Sequence, residues 1–291
     1  MKAPPFAYFR ATSLADVFRS WSEAGAEAKL LAGGQSLLAT LAFRLAEPPA
    51  LIDITRVGEL AGIAETGDRL RVGALTTHAE LGTNALVRQQ VPLVAEAVPL
   101  IAHAAIRNRG TIGGSLAYAD PAAELPACCV ALGAEIVARS ATGERRIPAA
   151  EFFTGLYTTA LAEHELIAAV EFPRARPGER TAILELVRRS GDYAIAGVAA
   201  RAEVARGSLV DPRLVFFGVG EGPVVARAAM AAVAGRPVTQ DTIAAAQAAL
   251  AADLNPRADQ HAGPEMKLHL AGVLLARVLR RTAGIEEARA A

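Results

Sequence analysis

Leu14, Val17, Phe18 and Trp21 fall at the i, i+3, i+4, i+7 spacing of one helical face, which predicts an amphipathic helix. Ser13 precedes it as a capping residue, Asp16 sits in the first turn where negative charge is favoured, and Gly25 offers a stop. A short apolar strand, Ala28 to Leu31, then leads through a Gly33–Gly34 turn and an apolar segment to a second strand, Leu51 to Ile54. Ile63 to Thr76 reads as strand, Gly67–Asp68 turn and strand, with helical segments at about His78 to Arg88 and Leu93 to His103. Strands are expected again at Glu135 to Arg139, Arg145 to Ile147 and Leu166 to Phe172. This alternation of periods predicts a mixed sheet with helices packed on it.

The pattern breaks at Arg174 to Glu179, where Pro177 and Gly178 punctuate the chain and place a boundary. Beyond it, Thr181 to Arg189, Ala194 to Val204 and Leu209 to Val219 suit an antiparallel sheet. Helix-like stretches follow to the end. The last has Pro264 near its start and Leu268, Ala271, Leu275, Val278 and Leu279 on one stripe.

A chain of 291 residues, 52% of them hydrophobic, can bury one large core or two ordinary ones without disulfides or metal staples. Thirty basic and thirty acidic side chains cancel, and no basic run is interleaved with aromatics, so nucleic-acid binding is not expected. Met1 to Arg10 holds two prolines and Arg10 where a secretory signal needs an apolar core. No stretch reaches the roughly 20 apolar residues of a membrane span, so the chain reads as cytoplasmic. The adjacent Cys128 and Cys129 supply neither a disulfide framework nor the four thiolates of an iron–sulfur cluster. His78, His103, His164, His261 and His269 show no paired ligand spacing, so no zinc site is read and each is expected on the surface or internally satisfied.

Candidate chemistry lies in two glycine pairs. In Ala32-Gly33-Gly34-Gln35-Ser36, directly after a strand, two missing Cβ atoms let the backbone turn its N–H groups against an anion such as a pyrophosphate. Gln35 and Ser36 can add side-chain hydrogen bonds. No Gly-Lys-Ser/Thr follows and the three spaced glycines of a Rossmann fingerprint are missing, so any phosphate site uses another scaffold. About eighty residues later, Thr111-Ile112-Gly113-Gly114-Ser115 repeats the design with Arg107 and Arg109 nearby. Together the loops can clamp a diphosphate from opposite sides, which points to a nucleotide cofactor. Downstream, Asp120 and Glu124 either accept hydrogen bonds from ribityl or ribose hydroxyls or cap the following helix.

The pair of loops, their separation and the Asp120-Pro121 that follows resemble the FAD-binding medium subunit of the xanthine dehydrogenase and carbon monoxide dehydrogenase (molybdenum hydroxylase) family. So do Phe6-Ala7-Tyr8, Gly73-Ala74-Leu75-Thr76-Thr77 and Arg188 to Ala196, and the likeness spans essentially the whole chain. The resemblance implies an α+β fold. A two-part FAD-binding domain of the vanillyl-alcohol-oxidase (PCMH) type would occupy 1–173, with subdomains of about 1–56 and 57–173. A C-terminal domain at 178–285 would hold a three-stranded antiparallel sheet and a helical bundle.

By the same resemblance, Ala32 to Ser36 and Thr111 to Ser115 hold the pyrophosphate, and Ile101 touches the cofactor from a helix end. Glu124 binds the ribityl or ribose hydroxyls, Leu161 meets the isoalloxazine edge, and Tyr193 covers one ring face. Some relatives carry a lysine near the flavin where this chain has Leu184, so tuning by that charge does not carry over. With Gln35 in the loop, FAD is expected to be non-covalent. No residue of the chain is assigned a catalytic role. A large subunit would carry the molybdenum cofactor and a small one the [2Fe-2S] clusters, in a dimer of heterotrimers, with electrons leaving this chain's FAD for NAD, a quinone or another acceptor. The alternatives are a self-sufficient FAD-dependent oxidoreductase of the vanillyl-alcohol-oxidase fold, or a scaffold whose glycine pairs are only turns. Valine at Gly34 or at Gly114 is expected to abolish FAD retention by filling the space of backbone-to-phosphate approach.

Overall fold

The structure, a computed structural model, describes residues 2–285. Met1 and the stretch past 285, into which the C-terminal helices are expected to continue, lie outside the described residues.

The chain opens with β1 (Ala7–Arg10), α1 (Leu14–Ala24), β2 (Lys29–Leu31), α2 (Leu37–Ala42) and β3 (Ala50–Asp53). The strands form a parallel sheet in the order β1-β3-β2. Helix α1 starts where its sequence predicts, with the Ser13 hydroxyl accepting the Asp16 N–H at 3.1 Å, and ends at Gly25 with φ 83°. Strand β1 is not foreseen, because its mostly exposed residues carry no apolar alternation.

Next come β4 (Ile63–Thr66), β5 (Arg69–Gly73), α3 (His78–Thr83), α4 (Ala85–Gln90), α5 (Pro92–Ala97), α6 (Ala104–Arg107), α7 (Ile112–Tyr118) and α8 (Glu124–Leu132). After them lie β6 (Glu135–Arg139), β7 (Glu144–Pro148), α9 (Ala149–Phe152), the small pair β8 (Phe153–Gly155) and β9 (Thr158–Thr159), and β10 (Leu166–Pro173). An antiparallel sheet of order β4-β5-β10-β6-β7 results.

The two helices expected between His78 and His103 are instead short pieces. Asn84 ends α3 and caps α4, its Oδ1 accepting the Leu86 and Val87 N–H groups, and Pro92 opens α5 at its first position. The third piece stops at Ala97, and His103 is the residue preceding α6 rather than the end of a long helix.

The remaining chain forms β11 (Glu179–Leu186), β12 (Ala196–Ala205), β13 (Ser208–Phe217), β14 (Val224–Val225), α10 (Arg227–Val233), α11 (Gln240–Asp253) and α12 (Pro264–Ala283). The expected three-stranded sheet thus has a fourth strand, β14, on its edge. Two residues after a glycine-rich turn are too short to show a period. Of the stripe foreseen on α12, Ala271, Leu275, Val278 and Leu279 are buried.

Strand alternation sends both faces of this sheet into a core. Val198, Ala200, Leu214 and Phe216 pack with the helices α10 to α12. Ala199, Val215, Phe217 and Ile183 join the core that contains α5, α7 and α8. Every residue of α8 is buried, and it lies against β12 and β13.

Candidate cofactor site

The first glycine loop leaves β2 and enters α2. The backbone N–H groups of Gly33, Gly34, Gln35 and Ser36 donate to no group among the described residues. Gly34 takes φ 73°, a left-handed turn natural to glycine, and the Gln35 side-chain amide fixes that turn by donating to the Gly33 carbonyl at 2.9 Å. Successive free N–H groups around such a turn form a concavity for an anion. A Cβ on Gly33 would lie 2.1 Å from the Arg109 carbonyl oxygen, so the first loop rests directly on the second.

The second loop works differently from the expectation. Ile112 N–H donates to the Thr76 carbonyl at 3.0 Å, Gly113 N–H to the Ala74 carbonyl at 2.9 Å, and Gly114 N–H to the Thr111 hydroxyl at 3.1 Å. These donors anchor α7 to the end of β5 and are not free for a phosphate. The loop instead contributes a smooth wall of Thr111, Gly113, Gly114 and Ser115. The nearby arginines do not line the cavity. The Arg107 guanidinium donates to the Ile101 and Ala102 carbonyls, each at 2.8 Å, satisfying acceptors that the turn before α6 leaves over.

The loops open on a cavity of about 540 Å³, a volume typical of small-molecule and cofactor sites. Ala32, Gly33, Gly34, Gln35, Ser36, Ile101, Thr111, Gly113, Gly114, Ser115, Asp120, Glu124, Leu161 and Tyr193 all line it. Ile112 is the exception: it is fully buried in the core beneath the loop, because the first residue of α7 turns inward.

Asp120 does not cap α8. Its Oδ1 accepts the Ala122 N–H at 2.9 Å within a tight turn, and Ala123 occupies the cap position without a side-chain bond. Tyr157 bonds to the Asp120 carboxylate and meets Tyr118 edge-on at 5.3 Å between ring centroids. Glu124, the first residue of α8, is only 9% exposed. Burial pushes its carboxyl up to about 8, with the Glu185 and Asp120 charges adding to the effect. Tyr193 stands largely exposed at the rim, brought there by the segment between β11 and β12.

The walls also include residues not singled out in the sequence. Trp21 lines the cavity with its Nε1 unpartnered, although its helical spacing marks it only as core. Glu165 does so with its carboxylate held by Arg145 at 2.8 and 2.7 Å. His78 is not a surface histidine: it is buried, with the Thr111 carbonyl beside its ring. Its place at the start of α3 turns the ring inward, an orientation that carries no local sequence signal.

This donor set suits a dinucleotide, with free N–H groups for a diphosphate, carboxyl groups for hydroxyls, and apolar and aromatic walls for rings. The buried carboxyl also predicts a pH dependence. Glu124 is protonated in folded and unfolded chains alike at low pH; above the ordinary value of 4.5 only the unfolded chain releases its proton, until about pH 8. Stability conferred by the neutral carboxyl is therefore lost as pH rises through this window. Thermal unfolding of cofactor-free Glu124→Gln should show a smaller fall in Tm between pH 5 and pH 8 than the wild type. Glu185, pushed by burial to about 7, retains the rest of the slope. An identical fall in both proteins would refute the assignment.

Comparison with known proteins identifies the family. Residues 4–175 match the family described as FAD binding domain in molybdopterin dehydrogenase, and residues 182–282 match the CO dehydrogenase flavoprotein C-terminal domain. The chain is 38% identical over 282 residues to the 6-hydroxypseudooxynicotine dehydrogenase complex subunit alpha of Paenarthrobacter nicotinovorans, covering 97% of this chain and 95% of that one. It is 34% identical to the carbon monoxide dehydrogenase medium chain of Hydrogenophaga pseudoflava, covering 96% and 97%. A solved chain of carbon monoxide dehydrogenase from Hydrogenophaga pseudoflava superposes with TM-score 0.95 at 36% identity, covering 99% of this chain and 100% of that one. A chain of quinoline 2-oxidoreductase from Pseudomonas putida 86 superposes with TM-score 0.93 at 37% identity, covering 98% and 99%.

Proposed function

Because the chain belongs to the FAD-binding flavoprotein subunits of the molybdenum hydroxylase family of oxidoreductases, we propose that it is the electron-transfer subunit of such an enzyme and does not itself transform the organic substrate. The observation that carries this reading is the meeting of both glycine loops, Asp120, Glu124 and Tyr193 around one cavity.

In this reading the free N–H groups of Gly33 to Ser36 hold the diphosphate, and Thr111 to Ser115 close over it with Gly114 giving the close approach. Glu124, largely protonated near neutral pH, offers both a donor and an acceptor to ribityl or ribose hydroxyls. Ile101 and Leu161 supply apolar contact, and Tyr193 shields a ring face. FAD bound here accepts electrons singly and releases them in pairs, while the chain supplies position and electrostatics. Residues 1–173, in parts of about 1–56 and 57–173, form the FAD-binding domain of the vanillyl-alcohol-oxidase type, and 178–285 the C-terminal domain.

The names of the relatives, medium chain and complex subunit, support a multi-subunit enzyme. We place a molybdenum cofactor in a large partner and [2Fe-2S] clusters in a small one, in a cytoplasmic dimer of heterotrimers. The final acceptor is NAD, a quinone or another carrier. Among the described residues no helix is long and apolar enough to cross a membrane.

The test is purification with co-expressed neighbours, followed by the visible spectrum and by flavin and metal analysis. Non-covalent FAD in this chain, with molybdenum and iron in the co-purifying chains, is expected. A colourless chain that purifies alone would overturn the reading. Substrate turnover by the chain alone would replace it with a self-sufficient oxidoreductase.

A further inference from the structure

A buried charge stands in the first turn of α12. Lys267 is only 6% exposed, and its ammonium donates to the Gly218 carbonyl at 2.9 Å and pairs with the Asp259 carboxylate at 2.6 Å. The His261 and Ala262 N–H groups donate to Asp259 in turn, at 2.7 and 3.0 Å. Burying an ammonium is costly, and even a well-made pair adds little stability over an apolar side chain of the same size. What such a pair supplies is a fixed position for the group it holds.

That group is Gly218, the residue after β13, where the chain turns with φ 76°. Its N–H donates to the carbonyl of Pro121, the neighbour of Asp120, at 2.7 Å. A Cβ on Gly218 would lie 2.9 Å from the carbonyl oxygen of Ala194, the neighbour of Tyr193, and 3.0 Å from that of Ile195. Asp120 and Tyr193 both line the cavity, one from the turn before α8 and the other from the segment between β11 and β12. Gly218 is therefore a common seat for two walls of the site that are far apart in sequence, and Lys267 holds that seat by its carbonyl. A further link between the same two loops, Arg257 to Glu221 at 2.7 Å, joins exposed side chains and is screened by solvent.

We propose that Lys267 is a positioning residue for the cofactor: through Gly218 it sets where Asp120 and Tyr193 stand relative to each other, and so how the cavity closes on a bound dinucleotide. The inference rests on the FAD reading above. Lys267 does not itself line the cavity and acts only through the backbone it holds. Partial burial works against the Asp259 charge, but the bonds from Lys267, His261 and Ala262 outweigh it and bring the carboxyl down to about 2. The pair therefore stays formed across neutral pH.

Lys267→Met, similar in length and without the charge, tests this in the full chain of the co-purified complex, with FAD affinity read by flavin fluorescence. It should weaken FAD binding by about 10-fold and alter the visible circular dichroism of the flavin that remains bound. A double-mutant cycle with Tyr193→Ala separates positioning from general destabilisation. Once Tyr193 is gone, the effect of Lys267→Met should shrink to about 3-fold or less, whereas a merely structural lysine costs the same in both backgrounds. Unchanged affinity in folded Lys267→Met, or an equal loss with and without Tyr193, would overturn the proposal. Should Lys267→Met fail to fold, Asp259→Asn, at a side chain 40% exposed, takes its place in the cycle and is read by the same two outcomes. Wild-type protein that takes up no FAD would instead strike the underlying FAD reading.

Discussion

Gly114→Val should purify folded and without flavin. A Cβ at Gly114 meets only the Thr111 hydroxyl, at 3.0 Å, and otherwise extends into the cavity. The position lies inside α7, where glycine is itself a poor helix former, so valine costs the helix little. The branched side chain fills the space that a diphosphate needs for close approach to the backbone. Flavin content per folded chain should drop by at least about tenfold, a change of about 1.4 kcal/mol in binding, while the Tm of cofactor-free protein stays close to wild type. Normal flavin content would remove the second loop from the diphosphate site.

Gly33→Ala should show the complementary pattern, with fold and cofactor failing together. Its added methyl would stand 2.1 Å from the Arg109 carbonyl oxygen and 2.9 Å from the Gly110 Cα, both backbone atoms with no rotamer to escape into. Separating the loops costs about 1–3 kcal/mol by analogy with overpacked cores, which should lower the Tm of cofactor-free protein by at least a few degrees. Retained wild-type stability would mean that the loops do not depend on this contact. Gly34→Val is less diagnostic: a branched residue at φ 73° is strained, and its Cβ would lie 3.0 Å from the Leu38 side chain, so lost flavin there would not separate blocked binding from distorted backbone.

Local signals in the sequence foretell much of this architecture. Helix α1 is legible because its stripe, its Ser13 cap and its Gly25 stop agree. The two loops are legible because a second glycine pair beside hydroxyl residues repeats the first, and the family resemblance adds Ile101, Leu161 and Tyr193, which no spacing marks. What stays hidden is whatever depends on a distant neighbour. Whether the N–H groups of Ile112 and Gly113 face a ligand is decided by carbonyls at Thr76 and Ala74, some forty residues earlier in the chain. The burial of His78 and the unpartnered Trp21 nitrogen are equally invisible, since a residue's surroundings exist only once the chain is assembled. Helix breaks at Asn84 and Pro92 are the milder case: both residues carry the right chemistry, but they stand amid apolar positions that suggest longer helices.

The C-terminal sheet is apolar on both faces, and α8 is covered on every side. The two halves cannot be parted without wetting the core that α8 shares with this sheet. The chain should therefore melt as one cooperative body, with a single calorimetric transition in place of two. It also sets a limit on dissection. A fragment ending at Pro177 would expose the face of α8 that β12 and β13 now cover, a contiguous apolar patch of the sort that drives aggregation. The two halves are distinct in architecture and inseparable in stability: neither can be lent to another protein as an independent module without a substitute for the sheet between them.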